Sequence, residues 1–250
     1  MIKITVNGDD FGLNERNSAA IVEAFEKELI TDTTMLANFT CFDHAVELAE
    51  QKGFTDKIGI HFNITEGAPL TEDIKRCPRF VTNGRFNKRY NRTAPLTKAE
   101  KAAIYKELSA QAEKIKNAGI PMNHADSHHH IHTAVFIAPI SVKVCREYGI
   151  GKIRIHRNVG HIPFYKQIVK DSYNKWLVKQ GFVTTKHFAY IMDIRDAELP
   201  DDTEIMVHPD YNKNGILIDR RGMRDGMPTG YELPDLKSER NAVLRGFNDL

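Results

Sequence analysis

The chain has 250 residues, 41% hydrophobic and 27% charged, which suits one large α/β domain or two small ones with a full-sized core. Its net charge of +2 supplies no general attraction for nucleic acid or an anionic membrane, and no apolar run approaches the roughly 18 residues that a bilayer span needs. Three scattered cysteines without a CxxC pair, and no charged-then-apolar segment ahead of the first strand-like run, set the expectation of a reduced, cytoplasmic protein with no nucleic-acid or membrane partner.

The run from Ile2 to Asn7 is β-rich and leads into Gly8-Asp9-Asp10, so a first strand should end at two adjacent carboxylates. A helix is expected from near Asn14, with Val22, Phe25 and Leu29 at helical spacing. Thr34 to Ala37 suits a second strand. Asp43 is placed to cap a helix through Ala45, Leu48 and Ala49, with Gly53 to stop it. Ile58 to Phe62 reads as a third strand ending at His61. The pattern then breaks from Asn63 to Pro95, a Gly-, Pro-, Asn- and Arg-rich stretch that is long for a connection. Thr97 and Glu100 form a capping box for a helix carrying Ile104, Leu108 and Ile115 and ending at Gly119. Beyond it come a strand end at His124 to Ser127, a helix around Ile140 to Tyr148 and a strand at Lys152 to Ile155. A helix through Tyr165 to Lys179, a strand at Glu204 to Val207 and a closing helix within Pro234 to Phe247 complete the reading.

Repeated β-then-α units imply a parallel sheet with helical cover, and their number favours a barrel over an open doubly wound sheet. With no internal repeat and no linker, residues 1–250 read as one domain carrying a basic loop insertion at about 63–96. The chemistry-bearing residues fall at strand C-termini, the face on which barrel sites assemble.

Asp9-Asp10 puts two carboxylates at the end of a buried strand, where a divalent cation on one would leave the other free as a base. Read alone, the pair equally suits a turn with an N-cap aspartate. The run Asp126-Ser127-His128-His129-His130-Ile131-His132 carries four imidazoles, the usual nitrogen ligands of divalent metals. An extended run would put His128, His130 and His132 on one face, and a helix would pair His128 with His132. His61 and Asn63 end the third strand in polar company, and His208 ends a strand where it could act as a general acid. Arg154 suits either an active-site cation or a structural ion pair. In the loop from Lys75 to Arg92, Arg85 and Tyr90 belong to an interleaved set of cations and aromatics that could cover a sugar or sugar phosphate. There is no Walker loop, dinucleotide fingerprint or GxSxG elbow, which argues against a nucleotide cofactor or a serine nucleophile.

Four stretches in order, Val6-Asn7-Gly8-Asp9-Asp10-Phe11-Gly12, Gly59 to Thr65, Asp126 to His132 and Met206-Val207-His208-Pro209, resemble the YdjC-like carbohydrate deacetylases, the family of the chitooligosaccharide deacetylases. Gly8 stands where an alanine is common. The resemblance implies a deformed (β/α) barrel related to the polysaccharide deacetylases. It implies removal of an N-acetyl group from an amino sugar, often a chitobiose-type disaccharide or its 6-phosphate, and a divalent metal on Asp10, His61 and His128. The mechanism expected here makes Asp9 the base and His208 the acid, and the residue reading makes Asn63, His130, Arg154, Arg85 and Tyr90 candidate substrate contacts, the last two on the basic loop that the resemblance anchors least. The resemblance suggests Mg2+, whereas two imidazoles favour Zn2+ or another transition metal. A homodimer is open. The rival readings are another metallohydrolase acting on a sugar phosphate, and a non-catalytic sugar- or metal-binding regulator.

Overall fold

The computed structural model describes residues 1–88, 92–194, 198–221 and 232–250. In chain order the elements are β1 (Lys3–Phe11), α1 (Glu15–Glu26), β2 (Asp32–Met35), α2 (Phe42–Lys52), β3 (Ile58–Phe62), α3 (Glu72–Lys75), β4 (Val81–Thr82), β5 (Arg85–Phe86) and α4 (Lys98–Asn117). They continue as β6 (Ala125–Ser127), a 3-10 turn at His128–Thr133, α5 (Ala138–Glu147), α6 (Phe164–Lys179), β7 (His187–Tyr190), β8 (Thr203–Val207), β9 (Pro209–Tyr211), β10 (Leu217–Asp219), α7 (Leu236–Glu239) and β11 (Val243–Leu244).

The main sheet runs β6-β3-β2-β1-β8-β7 with every pairing parallel. Its central strands are buried on both faces, as a parallel sheet between helices requires. The sheet curls into a partial barrel. Its outer edges approach through single bridges, Ala125 with Ile153 and Lys152 with Val183, and through the N–H groups of Asn158 and Val159 donating to the Phe188 carbonyl.

One face of the curled sheet carries polar residues. Asn7 and Asp9 are two apart on β1 and therefore share a face, and the Asn7 amide bonds the Asp9 carboxylate at 2.8 Å. His124 reaches the same Asn7 from the other edge, with Nε2 3.1 Å from Oδ1. Gly59 makes room for that ring: a Cβ there would lie 2.5 Å from His124 Nδ1.

The local signals hold where they are chemical. Asn14 caps α1, with its side chain accepting from the Asn17 N–H. Thr97 and Glu100 form both bonds of the capping box on α4. Gly53 closes α2 in the left-handed region at φ 70°.

Four expectations are corrected. The second strand is Asp32–Met35 rather than Thr34 to Ala37, because pairing places Asp32 opposite Asn7 and Met35 opposite Phe11 across a bulge. Asp43 lies inside the first turn of α2, which begins at Phe42 behind Cys41, so it complements the helix dipole instead of capping. Lys152 to Ile155 holds only isolated bridges. The closing helix is a short α7 followed by β11, because Asn241 takes a left-handed φ of 48° and turns the chain into the sheet beside the start of β1. Six strands among the described residues lie outside the sequence reading, β4, β5, β7, β9, β10 and β11; β7, four residues long and without alternation, is the longest of them.

The long segment after β3 is packed against α4. Glu107 of α4, itself fully buried, accepts from the backbone N–H groups of Leu70 and Thr71 and from the Thr71 hydroxyl. Phe80 and Phe86 are buried with it.

Candidate active site

Strands β1, β3, β6 and β8 deliver Asp9-Asp10, His61, Asp126 and His208 to one end of the sheet, and the turn after β6 adds His128. Asp10 is the centre. Its Oδ1 lies 3.1 Å from His61 Nε2 and 2.7 Å from His128 Nδ1, with all three side chains buried. These three residues offer donor atoms that all lie within 4.8 Å of one another, as a metal-holding set must. The donors fit a divalent metal: one carboxylate and two imidazoles leave positions open for solvent and substrate. The far nitrogen of His61 fits too, since its Nδ1 is 2.5 Å from Asp126 Oδ1, the carboxylate–histidine pairing that orients a ligating imidazole. Arg220 donates to the other Asp10 oxygen at 2.7 Å.

Backbone strain concentrates at this point. Asp10, His129 and His130 all take left-handed φ values, 74°, 52° and 55°. Such conformations of non-glycine residues persist where the surroundings impose them. They also decide the histidine run, which is neither extended nor helical, so each ring goes its own way. His128 meets Asp10. His129 Nδ1 lies 2.9 Å from Thr65 Oγ1. His130 stacks on Tyr190, whose hydroxyl is 3.0 Å from its Nε2. His132 is buried against Ser127 and the Arg154 carbonyl.

Asp9 has a different neighbourhood. Arg154, fully buried, grips it with two N–H donors at 2.8 and 2.7 Å, while its Nη1 also meets Asp126 at 2.5 Å and its Nε meets Glu204 at 2.6 Å. Burial alone would raise the Asp9 carboxyl, but the charge and hydrogen bonds of Arg154 outweigh it and hold the group well below the usual carboxylate range. Glu204 is the third anion on one guanidinium, and burial pushes it up to about 7 against the pull of Arg154. His61 shows the converse. Burial opposes its charge, but Asp126 and the bond to Asp10 raise it to about 10.

His208 completes the ring. Its backbone N–H donates to Asp219 at 2.9 Å, and its Nε2 stands 4.0 Å from both Asp9 Oδ2 and Asp10 Oδ2. Burial and then the charge of Arg221 push it down to about 3, so it is neutral at pH 7. Its Nδ1 has no hydrogen-bond partner among the described residues.

The structure thus gathers Asp9, Asp10, His61, His128, His208 and Arg154, with His130 on the rim. Asn63 is buried and spends its amide on its own loop: Oδ1 accepts from Thr65 and Glu66, and Nδ2 donates to Asn38 and to the Glu66 carbonyl. Arg85 is exposed on the β4–β5 hairpin, and Tyr90 lies outside the described residues. Sequence reasoning did not single out Glu204, Arg220, Asn7, His124 or Thr34, whose hydroxyl lies 3.0 Å from His61 Nδ1 and donates to Asp126. Glu204 left a trace as a charge inside an otherwise apolar strand, but a long-range partner such as Arg220 leaves no local mark.

A family model described as YdjC-like protein matches residues 3–242. The chain is 33% identical to Carbohydrate deacetylase 1 of Listeria innocua over the full length of both, and 35% identical to a Carbohydrate deacetylase of Listeria monocytogenes serotype 4b, again over the full length of both. It is 31% identical to a Carbohydrate deacetylase of Brevibacillus brevis across 86% of this chain and 84% of that one. A crystal structure from Enterococcus faecalis V583, provisionally described as a cellobiose-phosphate cleavage protein, shares the fold with a TM-score of 0.70 at 20% identity, covering 99% of this chain and 98% of that chain.

Proposed function

The chain belongs to the YdjC-like family, and on that premise we propose that it is a carbohydrate deacetylase that hydrolyses the N-acetyl group of an amino sugar with the help of a divalent metal. The observation that carries this reading is the convergence of the His61 and His128 imidazoles on one carboxylate oxygen of Asp10, beside a second carboxylate that is separately held. When bound to these three residues, a divalent cation supplies Lewis acidity, polarising the amide carbonyl and lowering the pKa of water.

The residues of the chain do the rest. Arg154 and Asn7 fix Asp9 in place and keep it ionised, so its carboxylate is always available to take the proton of the attacking water. His208 is neutral at rest and holds no spare proton, so the one it gives to the leaving amine must reach it first. Asp9 Oδ2, 4.0 Å from His208 Nε2, is the donor in that relay. The products are acetate and the free amino sugar.

A chitobiose-type disaccharide or its 6-phosphate is the substrate that suits the surroundings. A cavity of about 520 Å³ adjoins His129 and His130, and Arg92, Arg157 and Lys170 line it. Tyr190, in its wall, is covered by the His130 ring and by the Arg157 guanidinium, which favours a polar or anionic group over a stacked sugar face. Two imidazoles favour Zn2+ or a similar transition metal, and the family resemblance favours Mg2+. Three free cysteines support work in the reducing cytoplasm. Among the described residues no helix is long and apolar enough to cross a membrane.

The test is acetate release from diacetylchitobiose and its 6-phosphate by protein loaded in turn with Mg2+ and Zn2+. The proposal requires acetate. Release of phosphate or of monosaccharide instead would favour a phosphoesterase or glycosidase on the same scaffold, and tight binding without turnover would favour a regulator.

A further inference from the structure

Glu66 stands on the loop after β3 with its side chain 47% exposed, yet it is bonded to a histidine that is 2% exposed. The loop holds it there. The Asn63 side-chain oxygen Oδ1 accepts from the Thr65 and Glu66 N–H groups, while the side-chain amides of Asn38 and Asn63 both donate to the Glu66 carbonyl, at 3.0 and 2.8 Å. The carboxylate so presented lies with Oε2 3.0 Å from His128 Nε2. The other ring nitrogen, Nδ1, faces Asp10 at 2.7 Å.

A neutral imidazole has one N–H and one lone pair, and the bond made by the first decides where the second points. We propose that Glu66 is a positioning residue for His128. By accepting the Nε2–H it leaves the Nδ1 lone pair directed at the position shared with Asp10 and His61. Asp126 does the equivalent for His61 from the opposite side, taking its Nδ1 and leaving Nε2 toward Asp10. The two supports differ in setting. Asp126 is locked inside by Arg154, whereas Glu66 is carried by a loop at the solvent boundary, so the readiness of His128 depends on that loop. This inference rests on the metal-site reading above.

The experiment is calorimetric titration of the full chain with Zn2+ alone, comparing wild type, Glu66→Ala and Glu66→Gln. Removing a carboxylate that orients a ligating histidine lowers metal affinity by about 10- to 100-fold. Glu66→Ala should show that loss at a stoichiometry of one ion per chain, with its unfolding temperature within a few degrees of wild type. Glu66→Gln keeps an oxygen that can accept the Nε2–H and should restore most of the affinity. Unchanged affinity in Glu66→Ala, or Glu66→Gln binding as weakly as Glu66→Ala, overturns the proposal. So does a wild-type stoichiometry of two that falls to one in Glu66→Ala, because Glu66, His128 and His129 would then themselves be ligands of a second ion. Failure of the wild type to bind Zn2+ at all would overturn the metal-site reading itself, which separates the two failures.

Discussion

At the C-terminal end of the sheet, Asp9 is buried against Arg154 and its proton affinity falls well below that of an ordinary carboxylate. At the N-terminal start of β2, Asp32 is as deeply buried but its hydrogen bonds come from neutral donors, Asn123 at 3.0 Å and the Phe247 N–H at 3.0 Å, and burial pushes it up to about 6. Burial alone therefore does not keep a carboxylate ionised in this fold. The guanidinium does, by keeping an anion in the dry interior that would otherwise take up a proton. The same guanidinium also separates two neighbours in sequence. Asp9 is fixed to Arg154, which leaves Asp10 to the imidazoles.

The sharpest way to break this comparison is to remove Arg154. Arg154→Met should destabilise the protein by about 3–5 kcal/mol in urea unfolding at pH 7, because Asp9, Asp126 and Glu204 would be left buried without their cation. The sign with pH follows from Asp9. Its depressed folded-state value contributes stability that is present above about pH 4 and is lost as pH falls. The deficit of the variant should therefore shrink in acid, and a deficit independent of pH would contradict the ion network.

Next in size is Asp9→Asn, which keeps the shape and removes the base. It should lower kcat for acetate release by about 10²–10⁴-fold. Its Zn2+ affinity should stay close to wild type, since Asp10 and not Asp9 is placed between the imidazoles. Loss of metal binding in Asp9→Asn would show that the ligand role belongs to Asp9 rather than Asp10.

Metal uptake carries a pH signature of its own. The metal-free protein holds His61 protonated, raised to about 10 despite burial by Asp126 and Asp10. A cation must displace that proton. Affinity should rise about tenfold per pH unit between pH 6 and 8 for each proton released. Calorimetry in buffers of different ionisation enthalpy counts the protons directly, and zero release would contradict the arrangement.

The smallest effect belongs to the other end of the sheet. Asp32 has a raised folded-state value, so its protonated form favours folding below about pH 4 and that contribution is lost as pH climbs through about 6. Asp32→Asn should be more stable than wild type by about 1–3 kcal/mol at pH 7.5, a gain that vanishes below pH 4. A gain independent of pH would show that Asp32 is not the group that titrates.

These contrasts also mark what the sequence could convey. Caps and stops were legible because their chemistry is local: Asn14, Thr97 with Glu100, and Gly53 act within four residues. Asp9-Asp10, His61 and the run from His128 could be grouped because they stand at strand C-termini, which parallel strands bring together, but the choice of Asp10, His61 and His128 among them rested on the family resemblance. The partners that tune them could not be assigned, Arg154 standing open as an active-site cation or a structural ion pair and Arg220 leaving no local mark. Arg154 joins residues from β1, β6 and β8, and Arg220 reaches Asp10 across 210 positions of chain. β7 and β11 were invisible for the same reason, since neighbouring strands rather than their own short sequences define them. The histidine run misled because its path depends on two left-handed residues that periodicity cannot represent.

The claim at the centre of this account is that Asp10, His61 and His128 hold one divalent cation. A crystal soaked in Zn2+ and measured at the zinc absorption edge tests it most directly. The account predicts one strong anomalous peak within about 2.0–2.2 Å of an Asp10 oxygen, His61 Nε2 and His128 Nδ1. A peak lodged between Glu66 and His129, or an Asp10 carboxylate still paired with Arg220 and no peak beside it, would contradict it.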